Sequence, residues 1–223
     1  MKLLLTSGGI RNPSLRATLI GLLGKPIADC SALLIPTAIY GHPQGSPAGA
    51  WRFNNGRSGC PMGELGWKSL GVLDLGVLAS LGKARWLPWI EAADVLLAEG
   101  GDALFLAHWM RQSGLADVLA SFPEKVWCGL SAGSMAMAPL VGAEFIEMKP
   151  PITGRDEALG VVDFAIFPHL NHPGFDENTM ACAEVWASRL PCPGYAIDDQ
   201  TAIKVADGKV EVVSEGEWRY FAR

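Results

Sequence analysis

The apolar run Lys125-Val126-Trp127-Cys128 leads without a break into Gly129-Leu130-Ser131-Ala132-Gly133 and then into Ser134-Met135-Ala136-Met137-Ala138. No other stretch limits the fold as much. It reads as a strand turning sharply into a helix with a serine at the corner, and the flanking glycines leave room where the chain doubles back. Such a corner lifts the Ser131 hydroxyl above a sheet. The next amide, Ala132 N–H, and the positive end of the following helix then face the place where an attacked carbonyl becomes negative. Ser131 is therefore the candidate nucleophile. Gly-x-Ser-x-Gly also arises by chance in a chain with 26 glycines among 223 residues, so its weight comes from the strand before it and the helix-like run after it.

The rest of the chain supplies the sheet. Leu3 to Thr6, the apolar run Ser31 to Thr37, Val95 to Ala98, Lys125 to Leu130, Val161 to Phe167 and Tyr195 to Ile197 read as strands. Helical patterns cover about Ser14 to Leu23, Trp86 to Ala93, Ala103 to Gln112 and Glu177 to Ser188. Residues 67 to 77 fit neither pattern clearly, and residues 40 to 63, rich in Gly, Pro, Ser and Asn, read as a long irregular excursion that could cover a site. Ala202 to Val205, Lys209 to Val213 and Trp218 to Phe221 read as short antiparallel strands, the first two joined by a hairpin turn at Asp207-Gly208. Alternating strands and helices imply an α/β fold, a mostly parallel sheet with helices on both faces and a crevice at the strand carboxyl ends. The expectation is one domain over residues 1–223, since 49% apolar and 18% charged residues suit one compact core.

Charge and cysteine usage exclude several classes. A net charge of −5 without a basic run is no footprint for nucleic acid, so small molecules or peptides are the expected partners. The beginning, Met1-Lys2-Leu3-Leu4-Leu5-Thr6-Ser7, turns polar too soon for a signal peptide, and no apolar run is long enough to span a bilayer. Five cysteines with no Cys-x-x-Cys pair suit reduced thiols in a cytoplasm.

A serine hydroxyl needs a base, and the chain offers only His42, His108, His169 and His172. His169 directly follows the apolar run Val161 to Phe167, which should bring it to the same sheet edge as Ser131; His172 is the weaker alternative. The pair His169 and His172 lacks a specified third metal ligand, so no metal is expected. Asp198 and Asp199, just after another short strand, each could orient the imidazole, and sequence does not choose between them. The order Ser, His, Asp departs from the Ser, Asp, His order of an α/β-hydrolase. Gly100 and Gly101, between a strand and a helix, could supply a second oxyanion amide opposite Ala132.

Taken in order, Gly100-Gly101, Gly129-Leu130-Ser131-Ala132-Gly133, Phe167-Pro168-His169 and Ile197-Asp198-Asp199-Gln200-Thr201-Ala202-Ile203 resemble the motifs of the peptidase E family of serine peptidases, which includes aspartyl dipeptidases and the related cyanophycinases. The resemblance implies a class I glutamine amidotransferase-like, flavodoxin-like αβ sandwich. It also implies Ser131 as nucleophile, His169 as base, Asp199 as third member where relatives commonly have glutamate, and Gly101 with Ala132 as oxyanion donors. The implied activity is a cytoplasmic serine hydrolase that cleaves short peptides through an acyl-enzyme without a cofactor. Two departures bear on substrate. Glu99-Gly100-Gly101-Asp102 stands where aspartyl dipeptidases more often read Gly-Gly-Gly-Asn, and Glu177-Asn178-Thr179 replaces their Thr-Arg-Glu, which puts preference for an N-terminal aspartate in doubt. Arg11, Lys149, Arg155 and Arg189 are the candidate cations for reading a substrate. The rival readings on the same scaffold are a non-catalytic small-molecule-binding protein and an acyltransferase.

Overall fold

A computed structural model describes residues 1–147 and 154–223. Its strands are β1 (Lys2–Thr6), β2 (Ser31–Ile35), β3 (Ser69–Val72), β4 (Val95–Ala98), β5 (Val126–Leu130), β6 (Ala165–Phe167), β7 (Gly194–Ile197), β8 (Thr201–Ala206), β9 (Lys209–Ser214) and β10 (Trp218–Phe221). Seven of them form one sheet in the order β3-β2-β4-β5-β1-β8-β9. The first five are parallel, and β8 and β9 close one edge antiparallel. The order reverses beside β1, which pairs with β5 on one side and β8 on the other, a position where open α/β sheets leave a crevice.

Both faces of this sheet are covered because apolar residues alternate along buried strands. Leu3 and Leu5 of β1, Leu96 of β4 and Trp127 of β5 enter one core, with Trp86 and Ile90 from the helix Lys83–Ala92 and Leu106 and Met110 from the helix Ala103–Gln112. Leu4, Leu97, Val126 and Cys128 enter the other, against Leu15, Leu19 and Leu22 of the helix Pro13–Leu23. That helix starts where Asn12 accepts the Leu15 amide, with Pro13 in its first turn, and ends at Gly24 in left-handed conformation. No helix among the described residues is long and apolar enough to cross a membrane.

Three expectations need correction, and one undecided stretch resolves. Residues 40–63 are not simply irregular: Ser46 caps a helix over Pro47–Asn54, and Phe53 is buried in the core. Residues 67 to 77 resolve into the edge strand β3 and a short helix, Leu75–Ala79. The apolar run Val161 to Phe167 is strand only over its last three residues. The third correction affects the site most: the strands form two sheets, and β10, antiparallel as expected, does not join that of β8 and β9. It pairs instead with β7, which is parallel to β6, in a separate three-stranded sheet ordered β10-β7-β6. Ile166 and Ile197 from that small sheet join the first core, while Phe167 and Ala196 face Ala183 and Trp186 of the helix Met180–Arg189.

The elbow needs its glycines for close approach. A Cβ on Gly133 would lie 2.4 Å from the Ala98 carbonyl oxygen, and one on Gly129 would lie 2.5 Å from Gly133 backbone atoms. Gly133→Ala should therefore cost about 2–3 kcal/mol of unfolding free energy by forcing β4 and β5 away from the turn, a loss that urea unfolding would measure. Wild-type stability in this variant would contradict the packing argument.

Candidate active site

Ser131 sits at the end of β5 with φ 48° and ψ −108°, a conformation that costs an L residue on the order of 1–3 kcal/mol and persists only where its surroundings impose it. The end of β1 supplies that restraint. The Thr6 carbonyl accepts the Ser131 amide at 3.0 Å and the Ser134 hydroxyl at 2.7 Å, while the Thr6 hydroxyl donates to the Gly129 carbonyl at 2.7 Å. The α-helix that follows is a single turn, Ala132–Met135, so the positive helix end expected beside Ser131 is short and contributes little beyond its individual amides. Cys128, three residues before Ser131, is packing: it is wholly buried beside Met62, and burial pushes its thiol up to about 12.

His169 follows β6, so it belongs to the small sheet and not to the sheet of Ser131. The two sheets meet at the carboxyl ends of their strands. Among the described residues Ser131, His169, Asp199 and Gly101 line one cleft of about 360 Å³, together with Arg11, His42, His172 and Phe175. His169 Nδ1 lies 2.7 Å from Asp199 Oδ1, which assigns the proton to Nδ1 and leaves Nε2 as the acceptor. Asp198 is engaged elsewhere: it accepts the Gln200 amide, the Thr201 hydroxyl and the Glu217 amide, tying the β7–β8 turn to β10.

Ser7 completes this group, although as a serine after a strand it carries no sequence signal that separates it from an ordinary turn residue. Its hydroxyl donates to Asp199 Oδ1 at 2.7 Å and accepts the His169 backbone amide, also at 2.7 Å. That second bond steadies a histidine held at φ 57°. Burial alone would raise the Asp199 carboxyl, but the hydrogen bond and charge of His169, the Ser7 hydroxyl and the Arg11 guanidinium together hold it at about 2. Arg11 Nε and His172 Nε2 each stand 3.8 Å from Asp199 Oδ2. Phe175 lies against His169, with ring centroids 5.0 Å apart and planes tilted by 31°.

Gly100 and Gly101 form the opposite wall. Gly101 has φ 140°, and a Cβ there would fall 2.3 Å from the Ala38 carbonyl oxygen; a Cβ on Gly100 would come 3.5 Å from that of Ser131. Ala132 is buried behind Ser131 at 1% exposure. Asp102 caps the helix Ala103–Gln112 by accepting the Phe105 amide, which anchors the glycine turn. Of the candidate cations, Arg11 is in the cleft, Arg155 pairs with Glu157 and Arg189 with Glu144, and Lys149 lies outside the described residues. His108 is within the helix Ala103–Gln112, beside Trp109. No group of three His, Cys, Asp or Glu among the described residues is arranged to hold a metal ion.

The family model for peptidase family S51 matches residues 73–213, which include Gly101, Ser131, His169 and Asp199. The chain belongs to peptidase family S51. This S51 chain superposes on a protein of Listeria monocytogenes EGD-e proposed to be a peptidase E, with a TM-score of 0.69 and 19% identity over 96% of this chain and 98% of that one. It also superposes on a peptidase from an acI-B1 actinobacterium, with a TM-score of 0.70 and 20% identity over 99% of this chain and 93% of that one. At such identities the likeness shows the fold, the mostly parallel αβ sandwich expected from the peptidase E resemblance. An uncharacterized peptidase of Pasteurella multocida (strain Pm70) is 26% identical over 117 residues, 50% of this chain. The matched region spans only about half, 56%, of that curated relative.

Two substitutions test the Asp199 network. A carboxyl held below its unfolded value adds stability above that value and loses it as pH falls through the folded one. Asp199→Asn should therefore cost about 2 kcal/mol at pH 7, and its deficit against wild type should shrink as pH falls from about 4 towards 2 in urea unfolding. Ser7→Ala should slow fluorophosphonate labelling of Ser131 about tenfold by loosening His169 and Asp199, and move the acid limb of its pH profile upward as Asp199 loses a donor. A labelling profile that does not move would make Ser7 merely structural.

Proposed function

We propose that this chain is a serine peptidase acting on short peptides through Ser131, His169 and Asp199. The observation that carries the reading is the part-buried His169–Asp199 hydrogen bond of 2.7 Å in the same cleft as a serine on a strained strand-to-helix turn. In this mechanism His169 Nε2 takes the Ser131 proton as Oγ attacks the peptide carbonyl, and Asp199 stabilises the imidazolium through Nδ1–H. The amides of Gly101 and Ala132 hold the oxyanion. Collapse breaks the C–N bond, and His169 returns the proton to the leaving amine. Water, deprotonated by His169, then opens the acyl-enzyme and regenerates Ser131.

His42 and Cys60 carry residues 40–63 to the cleft wall, which supports a role for that segment in limiting substrates to short peptides. Arg11 supports an acidic residue at the substrate's amino end, as in aspartyl dipeptides, although its guanidinium already faces Asp199. The five unpaired cysteines are in keeping with a reducing cytoplasm.

A dipeptide panel of Asp-Leu, Glu-Leu, Ala-Leu and their amino-blocked forms tests the reading. Cleavage should require a free amino end and fall at least about a thousandfold in Ser131→Ala, with fluorophosphonate labelling abolished in the same variant. Cleavage of Asp-Leu alone would establish an aspartyl dipeptidase. Labelling of Ser131 without hydrolysis, but with transfer of the acyl group to an added amine, would favour the acyltransferase; neither labelling nor turnover would leave a binding protein.

A further inference from the structure

Past Gly100 and Gly101 the cleft continues into a second recess of about 290 Å³ that the serine mechanism does not use. His42, Cys60, Gly100, Gly101 and Leu130 line both spaces. Glu99, the last residue before the glycine turn, lines the recess at 7% exposure, and its Oε2 is buried with no hydrogen-bond partner. Buried carboxyls are ordinarily paired, so an orphaned one in the wall of a cleft marks a place for a ligand. Arg52, on the helix Pro47–Asn54, reaches the same recess from an exposed position.

We propose that this recess is a carboxylate subsite, in which the Arg52 guanidinium and the orphaned carboxyl of Glu99 together bind a free carboxylate of the substrate, either its C-terminal group or an acidic side chain. The proposal rests on the peptidase reading for the nature of the ligand. Its sign follows from protonation. Burial pushes the Glu99 carboxyl up to about 9 against the lowering pull of Arg52, so at neutral pH it presents an O–H donor and no negative charge. A cationic group would first have to ionise Glu99, forfeiting about a hundredfold in affinity at two pH units below that value, and it would also meet Arg52. A carboxylate requires no proton change. It accepts from Glu99 and from the fork of Arg52, and its charge keeps Glu99 protonated. The other titratable groups on the recess are His42 and Cys60, and burial raises the Cys60 thiol despite Arg11.

The experiment measures dissociation constants of intact dipeptides by calorimetry on Ser131→Ala, so the subsite is read even if turnover is absent. Ala-Leu is compared with Ala-Leu amide for the C-terminal source, and Asp-Leu with Asn-Leu for the side-chain source. In at least one pair the carboxylate should bind tenfold or more tightly, and that ratio should fall at least fivefold in Arg52→Gln, a surface change that spares the core, and in Glu99→Leu. The ratio should also fall above about pH 9 as Glu99 ionises, and should not fall in Glu99→Gln, which keeps a neutral donor. Ratios that survive both Arg52→Gln and Glu99→Leu would overturn the subsite. So would tighter binding of Lys-Leu than Ala-Leu that disappears in Glu99→Gln, since Glu99 would then serve a cation. A carboxylate preference without any Ser131-dependent turnover in the parent enzyme would uphold the subsite and overturn the peptidase reading.

Discussion

The hydrogen bond between His169 and Asp199 joins parts of the chain that no single sheet could bring together. His169 leaves β6 in the three-stranded sheet, Asp199 sits between β7 of that sheet and β8 of the larger one, and Ser7 leaves β1 in the interior of the larger sheet. Asp198 and Asp199 divide the labour at this junction. Asp198 fastens the β7–β8 turn to the segment before β10, and Asp199 faces the other way, into the cleft. A part-buried carboxylate at such a junction would be costly alone. With donors from His169 and Ser7 it becomes a cross-link that also fixes the imidazole tautomer. Asp199 reaches the imidazole directly, and Ser7 adds a second tie by bridging Asp199 to the His169 backbone.

Two residues at the centre, Ser131 and His169, hold positive φ, and each is restrained from β1. Thr6 accepts the amide of Ser131, and Ser7 accepts the amide of His169. The last residue of β1 and the one that follows it thus hold both strained positions, so a shift of β1 would move Ser131 and His169 together. That geometry suits a reaction in which the hydroxyl and the imidazole must keep a fixed relation while substrates come and go.

Much of this was legible because it is local. The elbow carries a five-residue signal, β1, β4 and β5 are short apolar runs bounded by polar residues, and Asn12-Pro13 and Asp207-Gly208 announce a helix start and a hairpin. His169 and the Asp198–Asp199 pair were visible because each directly follows an apolar run. What was hidden depends on distant pairing. Nothing local distinguishes β10 pairing with β7 from β10 extending the β8–β9 hairpin, so the split into two sheets was missed, and with it the fact that serine and histidine come from different sheets. Ser7 was hidden for the same reason, since its partners lie 162 and 192 residues away. The helix Pro47–Asn54 was masked by glycines and prolines around it, although Ser46-Pro47 is a proper start signal.

Glu99 shows how the departures in a motif are to be read. A carboxyl that is ionised in the unfolded chain but neutral in the fold makes folding less favourable as pH rises from about 4.5, its ordinary value, towards 9. A glutamine of the same size would avoid that cost, so stability gives no reason for an acid at this place. The acid directly precedes the glycine turn and lines the recess beside it, where the proposed carboxylate subsite lies. The burial that makes Glu99 costly to the fold is also what keeps it uncharged, able to donate to a carboxylate there instead of repelling it. Fold stability and site chemistry therefore pull in opposite directions at residue 99, and the position of Glu99 is intelligible only from the side of the site.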